Sequence, residues 1–220
     1  MDSYLEGLYS TIVLKDVIAR KKIQSPLQLE RVVQYLCDNI GNMTSIQRIV
    51  TALSSTGSAA SHPTIENYID GLKDAYIIHQ SNRYDLRGRQ ILRNGAKYYI
   101  SDMGLRRIIL GGRIRDYGRI LENVVYLELL RRCGDERRVC VGLANDLEID
   151  FVATLNANPI YVQVSVSVRH EETLERELRP FSKLHDAYPR YLVTLDDDPP
   201  MDHNGVVQMN ICDFLRKSDF

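Results

Sequence analysis

No apolar run in this sequence approaches the roughly 18 to 20 residues that a membrane-spanning helix requires. The apolar stretches extend only a few residues, as at Ile12-Val13-Leu14. The N-terminal segment MDSYLEGLYS lacks a basic region followed by an apolar block, which excludes a secretory signal of the usual kind. Cysteine is scarce: four residues, at 37, 133, 140 and 212, with no C-x-x-C pair among them. That removes zinc ribbons and thioredoxin-type motifs, and it fits buried thiols in a reducing cytoplasm. Also missing is any G-x-x-x-x-G-K-[ST] segment, so these residues hold no phosphate-cradling loop for ATP. The five histidines show no metal-ligand spacing, and Asp196-Asp197-Asp198 lacks the spacing of a calcium loop and reads as a solvated turn.

What is present is a chain of 220 residues, 44% hydrophobic and 26% charged. At about 150 residues per domain, that allows one large domain or two small ones. The formal net charge of −1 conceals an asymmetry: +2 over residues 1–95, +4 over 96–139 and −7 over 140–220. Between Arg83 and Arg138 stand 14 basic residues against 7 acidic ones, and Lys97 is the one lysine among them. A planar guanidinium suits phosphate and carboxylate better than an ammonium does. Two readings are open, a solvated face contacting the acidic C-terminal part and a face for polyanions.

Residues 1–23 read as one amphipathic helix, with Leu5, Leu8, Ile12, Val13, Val17 and Ile18 near helical spacing. Nothing local offers it a partner, so it reads as the tail of something larger. Pro26 opens a second helix over 27–40, ended by Gly41. Thr44 or Ser45 caps a third to about Ser55, and Thr64 a fourth through Ala75. The period then changes to two: strand 76–80, basic loop Arg83–Gly95, return strand 97–100. Three helices and a hairpin with a basic tip form the pattern of a winged helix. Its recognition helix, TIENYIDGLKDA, turns three acids outward against one lysine, which disfavours contact with phosphates. Arg83, Arg87, Arg89 and Arg93 on the wing are the better nucleic-acid ligands. An apolar helix follows over 118–132, then strands 138–143, 147–155 and 160–168, a charged helix 171–186, strands 190–195 and 206–210, and a terminal helix 211–217. In strand 160–168 the valines alternate inward, with Gln163, Ser165 and Ser167 outward. The expected fold is thus mixed α/β: a leader over 1–24, a winged helix over 25–112 and an α/β domain over 113–220.

The α-β-β-β-α-β order of the last part resembles the core of the restriction-endonuclease-like fold, PD-(D/E)xK. In that fold acids on two adjacent strands hold Mg²⁺, a lysine two positions past the second acid stabilises the attacking hydroxide, and a helix glutamate often completes the site. The matching catalytic positions here are Glu122, Asp150, Gln163 and Ser165. Glu122 and Asp150 fit as catalytic and metal residues, and Glu148 shares the strand face of Asp150. Gln163 and Ser165 depart from the pattern: an amide replaces the second acid and a hydroxyl replaces the lysine. A purely structural reading stands beside this one, with Glu122 and Asp150 pairing to nearby arginines.

The segments YLEGLYSTIVLKDVIAR, RYDLRGRQILRNGAKYYISDMGLR, LENVVYLELLRR, EIDFVA and YVQVSVS resemble the C-terminal half of a prokaryotic family of predicted AAA-type ATPases. The resemblance covers nearly the whole chain. It implies an N-terminal P-loop ATPase module as partner, then a winged-helix segment, then a nuclease-like C-terminal domain of unknown function. ATP would enter only through that N-terminal module, and residues 1–23 would be its end or its linker. It implies a DNA- or protein-binding regulatory module, the alternative being a metal-dependent nuclease with an altered site. Mg²⁺ is the cation such a site would take, and no membrane is implied as a partner.

Overall fold

The computed structural model describes residues 2–112 and 116–218. The chain is mixed α/β and forms two compact units, Met1–Gln80 with Gly95–Arg115, and Ser81–Asn94 with Asp116–Phe220. No helix among the described residues is long and apolar enough to cross a membrane.

The first unit opens on a helical run: α1 Asp2–Tyr9, a π-helical stretch Ser10–Val17 and α2 Ile18–Lys21, ended by Lys22 in the left-handed region at φ 50°. This run is not the unpartnered leader that the sequence suggests. Val17 and Ile23 are buried in the unit's core, with Tyr9 and Ile18 packed against it. The expected apolar positions Ile12 and Val13 lie outside the described side chains. Val17 packs against α5, His62–Asp74, and the contact needs a glycine. A Cβ on Gly71 would stand 2.8 Å from Val17 Cγ1 and 3.0 Å from Lys21 Cγ. In a helix open to solvent, alanine is better than glycine by about 0.5–1 kcal/mol. Here Gly71→Ala is expected to destabilise by about 1–3 kcal/mol through overpacking. Thermal denaturation checks it; a variant melting above the wild type would contradict the close contact.

α3, Pro26–Asp38, carries Pro26 in its first turn and buries Leu29, Val32, Val33, Leu36 and Cys37, a helical stripe. Ser45 caps α4, Ile46–Ser55, by accepting from the Arg48 N–H at 3.3 Å. α5 starts earlier than Thr64, because Ser61 accepts the Thr64 N–H and Pro63 occupies the first turn. Its buried face is Ile65, Tyr68, Ile69 and Leu72, while Glu66, Asp70 and Asp74 are exposed.

The hairpin is longer than its sequence suggests. β1 spans Ile78–Asp85 and β2 spans Gln90–Ile100, so most of the expected loop 83–95 is strand. The reason is a distant partner. Arg83, Tyr84 and Asp85 pair in parallel with Val141, Gly142 and Leu143, so the hairpin tip belongs to the second unit. At its base, Thr44 and Ala96 exchange backbone hydrogen bonds of 2.9 Å. Asp102 then caps α6, Met103–Ile109, whose buried Arg106 donates from Nε to the Cys37 carbonyl at 2.7 Å.

In the second unit α7, Tyr117–Cys133, ends on Gly134 at φ 68°. β3 Val139–Ala144, β4 Leu147–Leu155 and β5 Asn158–Val164 form an antiparallel meander. α8, Glu171–Leu178, passes into a 3₁₀ segment Arg179–Lys183 at Pro180, which has no N–H to continue the helix. β6 Arg190–Thr194 and β8 Val206–Asn210 extend the sheet in parallel, β7 Met201–Asp202 closes its edge, and α9 Ile211–Arg216 ends the chain. The strand order is β2-β1-β3-β4-β5-β6-β8-β7. Between the pairs Cys140–Val152 and Gly142–Ile149, β4 uses one residue more than β3, a bulge at Asp150-Phe151. Gly142 makes room for it: a Cβ there would stand 2.6 Å from Val152 Cγ2.

Two expectations for this unit are corrected. β5 ends at Val164, and the valine alternation does not continue: Gln163 is buried while Val166 is exposed. Asp196 is buried too, rather than part of a solvated turn. It accepts from Ser167 Oγ at 2.7 Å and from the Val168 N–H at 2.8 Å, which draws the chain out of the strand.

Candidate functional site

The bulge places Asp150 beside β5, where two of the expected catalytic residues meet. The Asp150 carboxylate accepts the Val164 N–H at 2.9 Å, and the Asp150 N–H donates to Gln163 Oε1 at 3.2 Å. Gln163 Nε2 in turn donates to Glu177 Oε2 on α8 at 2.9 Å. Both ends of the Gln163 amide are therefore spent inside the fold. Glu177 is 9% exposed, and its other oxygen accepts from Arg176 at 2.9 Å. Glu177 does not stand out in the sequence because three other acids, Glu171, Glu172 and Glu175, share its helix. A signal existed, since a buried polar residue on β5 requires a polar partner from whatever covers it.

Ser165 is half-buried just past the end of β5, and its hydroxyl donates to the Ser167 carbonyl at 3.3 Å. Glu122 is half-buried on α7. Four residues on, Tyr126 occupies the same helix face, and its ring lies 6.0 Å from that of Phe151. Glu122 thus stands on the stripe of α7 that meets β4, next to a fully buried Asn123. Among the described residues no group of three or more His, Cys, Asp or Glu side chains is placed to hold a metal ion. Cys37, Cys133 and Cys140 are buried thiols, as expected, whereas Cys212 is exposed.

Part of the basic stretch meets on the second unit, while Lys97, Arg106 and Arg107 belong to the first. The tip of the hairpin is a turn in which Asp85 accepts the Arg87 N–H at 3.0 Å and Arg89 adopts φ 50°. It aims Arg87 and Arg89 into a cleft of about 840 Å³, where they meet Arg137, Arg138, Lys183 and His185. Arg83 is half-buried on β1, one position from the cleft-lining Tyr84 and so on the other face. The Arg93 side chain, on β2, lies outside the described residues, as do Arg113 and Arg115. Lys183 and His185 come from the acidic C-terminal part, which is why a count along the chain does not find them.

The cleft floor is apolar and uncharged. Burial pushes the Cys140 thiol up to about 11. Burial raises the Tyr161 phenol as well, with a further contribution from Asp186, which accepts its O–H at 2.7 Å. Hydrogen bonds from Arg137, first its side chain and then its backbone, hold the Asp135 carboxyl down at about 2, so Asp135 stays ionised beside Arg137 except in strong acid.

Residues 1–116, more than half of the chain, match a family described as Domain of unknown function (DUF8612). An uncharacterized protein of Haemophilus influenzae is 33% identical over 216 residues, which cover 97% of this chain and 52% of that protein. An uncharacterized protein of Methanocaldococcus jannaschii is 29% identical over 185 residues, covering 83% of this chain and 40% of that protein. The chain spans about half the length, or less, of these curated relatives. No solved structure matches it.

Proposed function

Starting from the fact that the chain belongs to the DUF8612 family, we propose that it is a non-catalytic module that binds nucleic acid, a winged helix joined to a nuclease-like α/β unit. The observation that carries this reading is the Gln163 amide. At the position where a nuclease of this fold would place its second carboxylate, Gln163 bridges the Asp150 backbone to Glu177 and brings no negative charge to a metal. Ser165, in place of the lysine, donates to a carbonyl and brings no charge to a scissile phosphate. In proteins of the relatives' length, an ATPase module would supply ATP binding, and this half would supply contact with the nucleic acid.

The order α7-β3-β4-β5-α8-β6, with β6 parallel to β5, supports the nuclease-like part of the reading. The helices α3, α4 and α5 followed by the hairpin support the winged helix. α5 is a poor reader of bases, since Glu66, Asp70 and Asp74 are its exposed charges. Binding falls instead to the arginines of the hairpin tip, Arg87 and Arg89.

This assignment is tested by DNA retardation at rising salt. Neutralising a few phosphates with arginine releases counterions, so affinity is expected to fall by about tenfold or more between 50 and 200 mM salt, with no sequence preference. Arg87→Ala with Arg89→Ala is expected to lower both the affinity and the salt slope. No retardation at low salt would contradict the reading, and so would sequence-selective binding that is lost on Glu66→Lys.

A further inference from the structure

We infer that the basic cleft of the second unit is a site for a single nucleic-acid strand rather than for a duplex. This rests on the nucleic-acid-binding reading above and adds the place and the form of the ligand. The cleft, about 840 Å³, lies within the size range of sites that enclose a ligand. Four of its cations, Arg87, Arg89, Arg138 and Lys183, are exposed and form no ion pair among the described residues. Against them stands one acid, Asp186, and it is already engaged, accepting from the Tyr161 hydroxyl and, at 3.2 Å, from the Tyr188 N–H. A phosphodiester backbone is the complement of such a lining.

Three features favour a single strand. Tyr84 and Tyr188 line the cleft, and Tyr188 is 40% exposed, so aromatic faces stand beside the guanidinium groups. Base stacking on tyrosine and arginine is available only to unpaired bases. The floor, with Val152, Pro159 and Leu184, is apolar and accepts a base edge better than it accepts phosphate. Finally, the site is concave, whereas a duplex offers the outside of a cylinder and keeps its bases stacked within it.

The test is fluorescence anisotropy on the whole chain with a short labelled oligothymidylate, the matching duplex, and thymidine monophosphate as competitor. The single strand is expected to bind about tenfold or more tightly than the duplex. Arg138→Ala with Lys183→Ala should weaken it and reduce the salt slope by about 1.4. Tyr84→Ala with Tyr188→Ala should weaken it by about tenfold and leave the slope unchanged. Thermal melting of both double variants identifies any loss that comes from unfolding; should either fail to fold, Lys183→Glu and Tyr188→Leu alone carry the same two comparisons. Equal affinity for duplex, or displacement of the strand by monophosphate at the same nucleotide concentration, would overturn the assignment. If strand and duplex bind but the cleft variants bind as wild type, the cleft is wrong and the binding module stands. If nothing binds, both fall.

Discussion

Gln163→Glu is expected to destabilise the protein in the presence of a chelator, and Mn²⁺ or Mg²⁺ is expected to restore much of the loss. In the wild type the amide donates to Glu177 at 2.9 Å under α8. The substitution removes a donor from a buried carboxylate and sets a second carboxylate against it. A lost hydrogen bond to a charged group costs about 1.5–3 kcal/mol, and like charges in one site raise at least one carboxyl pKa. A total of about 3 kcal/mol corresponds to roughly 6–12 °C in melting temperature for a chain of this size. The sign with pH follows. A carboxyl raised above its unfolded value, about 4.3, weakens the fold at neutral pH, and the deficit shrinks as the pH falls toward that value. A divalent cation acts in the opposite direction, because it would screen Glu177 and the introduced carboxylate, which meet where the amide now donates. Melting in EDTA and in Mn²⁺ at neutral pH, and again near pH 4, measures all of this. A variant as stable as wild type, and indifferent to metal, would show that Gln163 does not occupy a former ligand position.

Much of the local structure is legible in the sequence because it is set locally. The stripe Leu29, Val32, Val33 and Leu36 buries one face of α3, and Ser45 caps α4 through a side-chain hydrogen bond three residues along the chain. The meander β3 to β5 follows from two tight connections, with Asn145 and Asn156 taking the left-handed conformations that the turns need. The features that local sequence does not reveal depend on partners far along the chain. Arg83 to Asp85 look like loop until β3, nearly sixty residues later, supplies their backbone hydrogen bonds. Gln163 looks solvent-facing until Glu177 covers it. Val17 looks like the end of a leader until Gly71 opens a groove for it. The basic cleft is legible in the sequence only in part. Arg87 and Arg89 carry an obvious local charge excess, but their companions Arg138 and Lys183 reach the same cleft only through the fold.

On the reading proposed above, Gln163 and Ser165 serve the fold in place of a catalytic acid and lysine. Loss of one preorganised electrostatic contribution costs about 3 kcal/mol, or roughly 100-fold in rate. Two such losses, the carboxylate at Gln163 and the lysine at Ser165, would multiply to about 10⁴-fold. The most direct measurement is incubation of the whole chain with supercoiled plasmid and with linear single- and double-stranded DNA in Mg²⁺ and in Mn²⁺. The predicted result is intact DNA, retained by the protein at low salt, with Asp150→Asn indistinguishable from wild type. Cleavage by the wild type that disappears in Asp150→Asn would contradict the account.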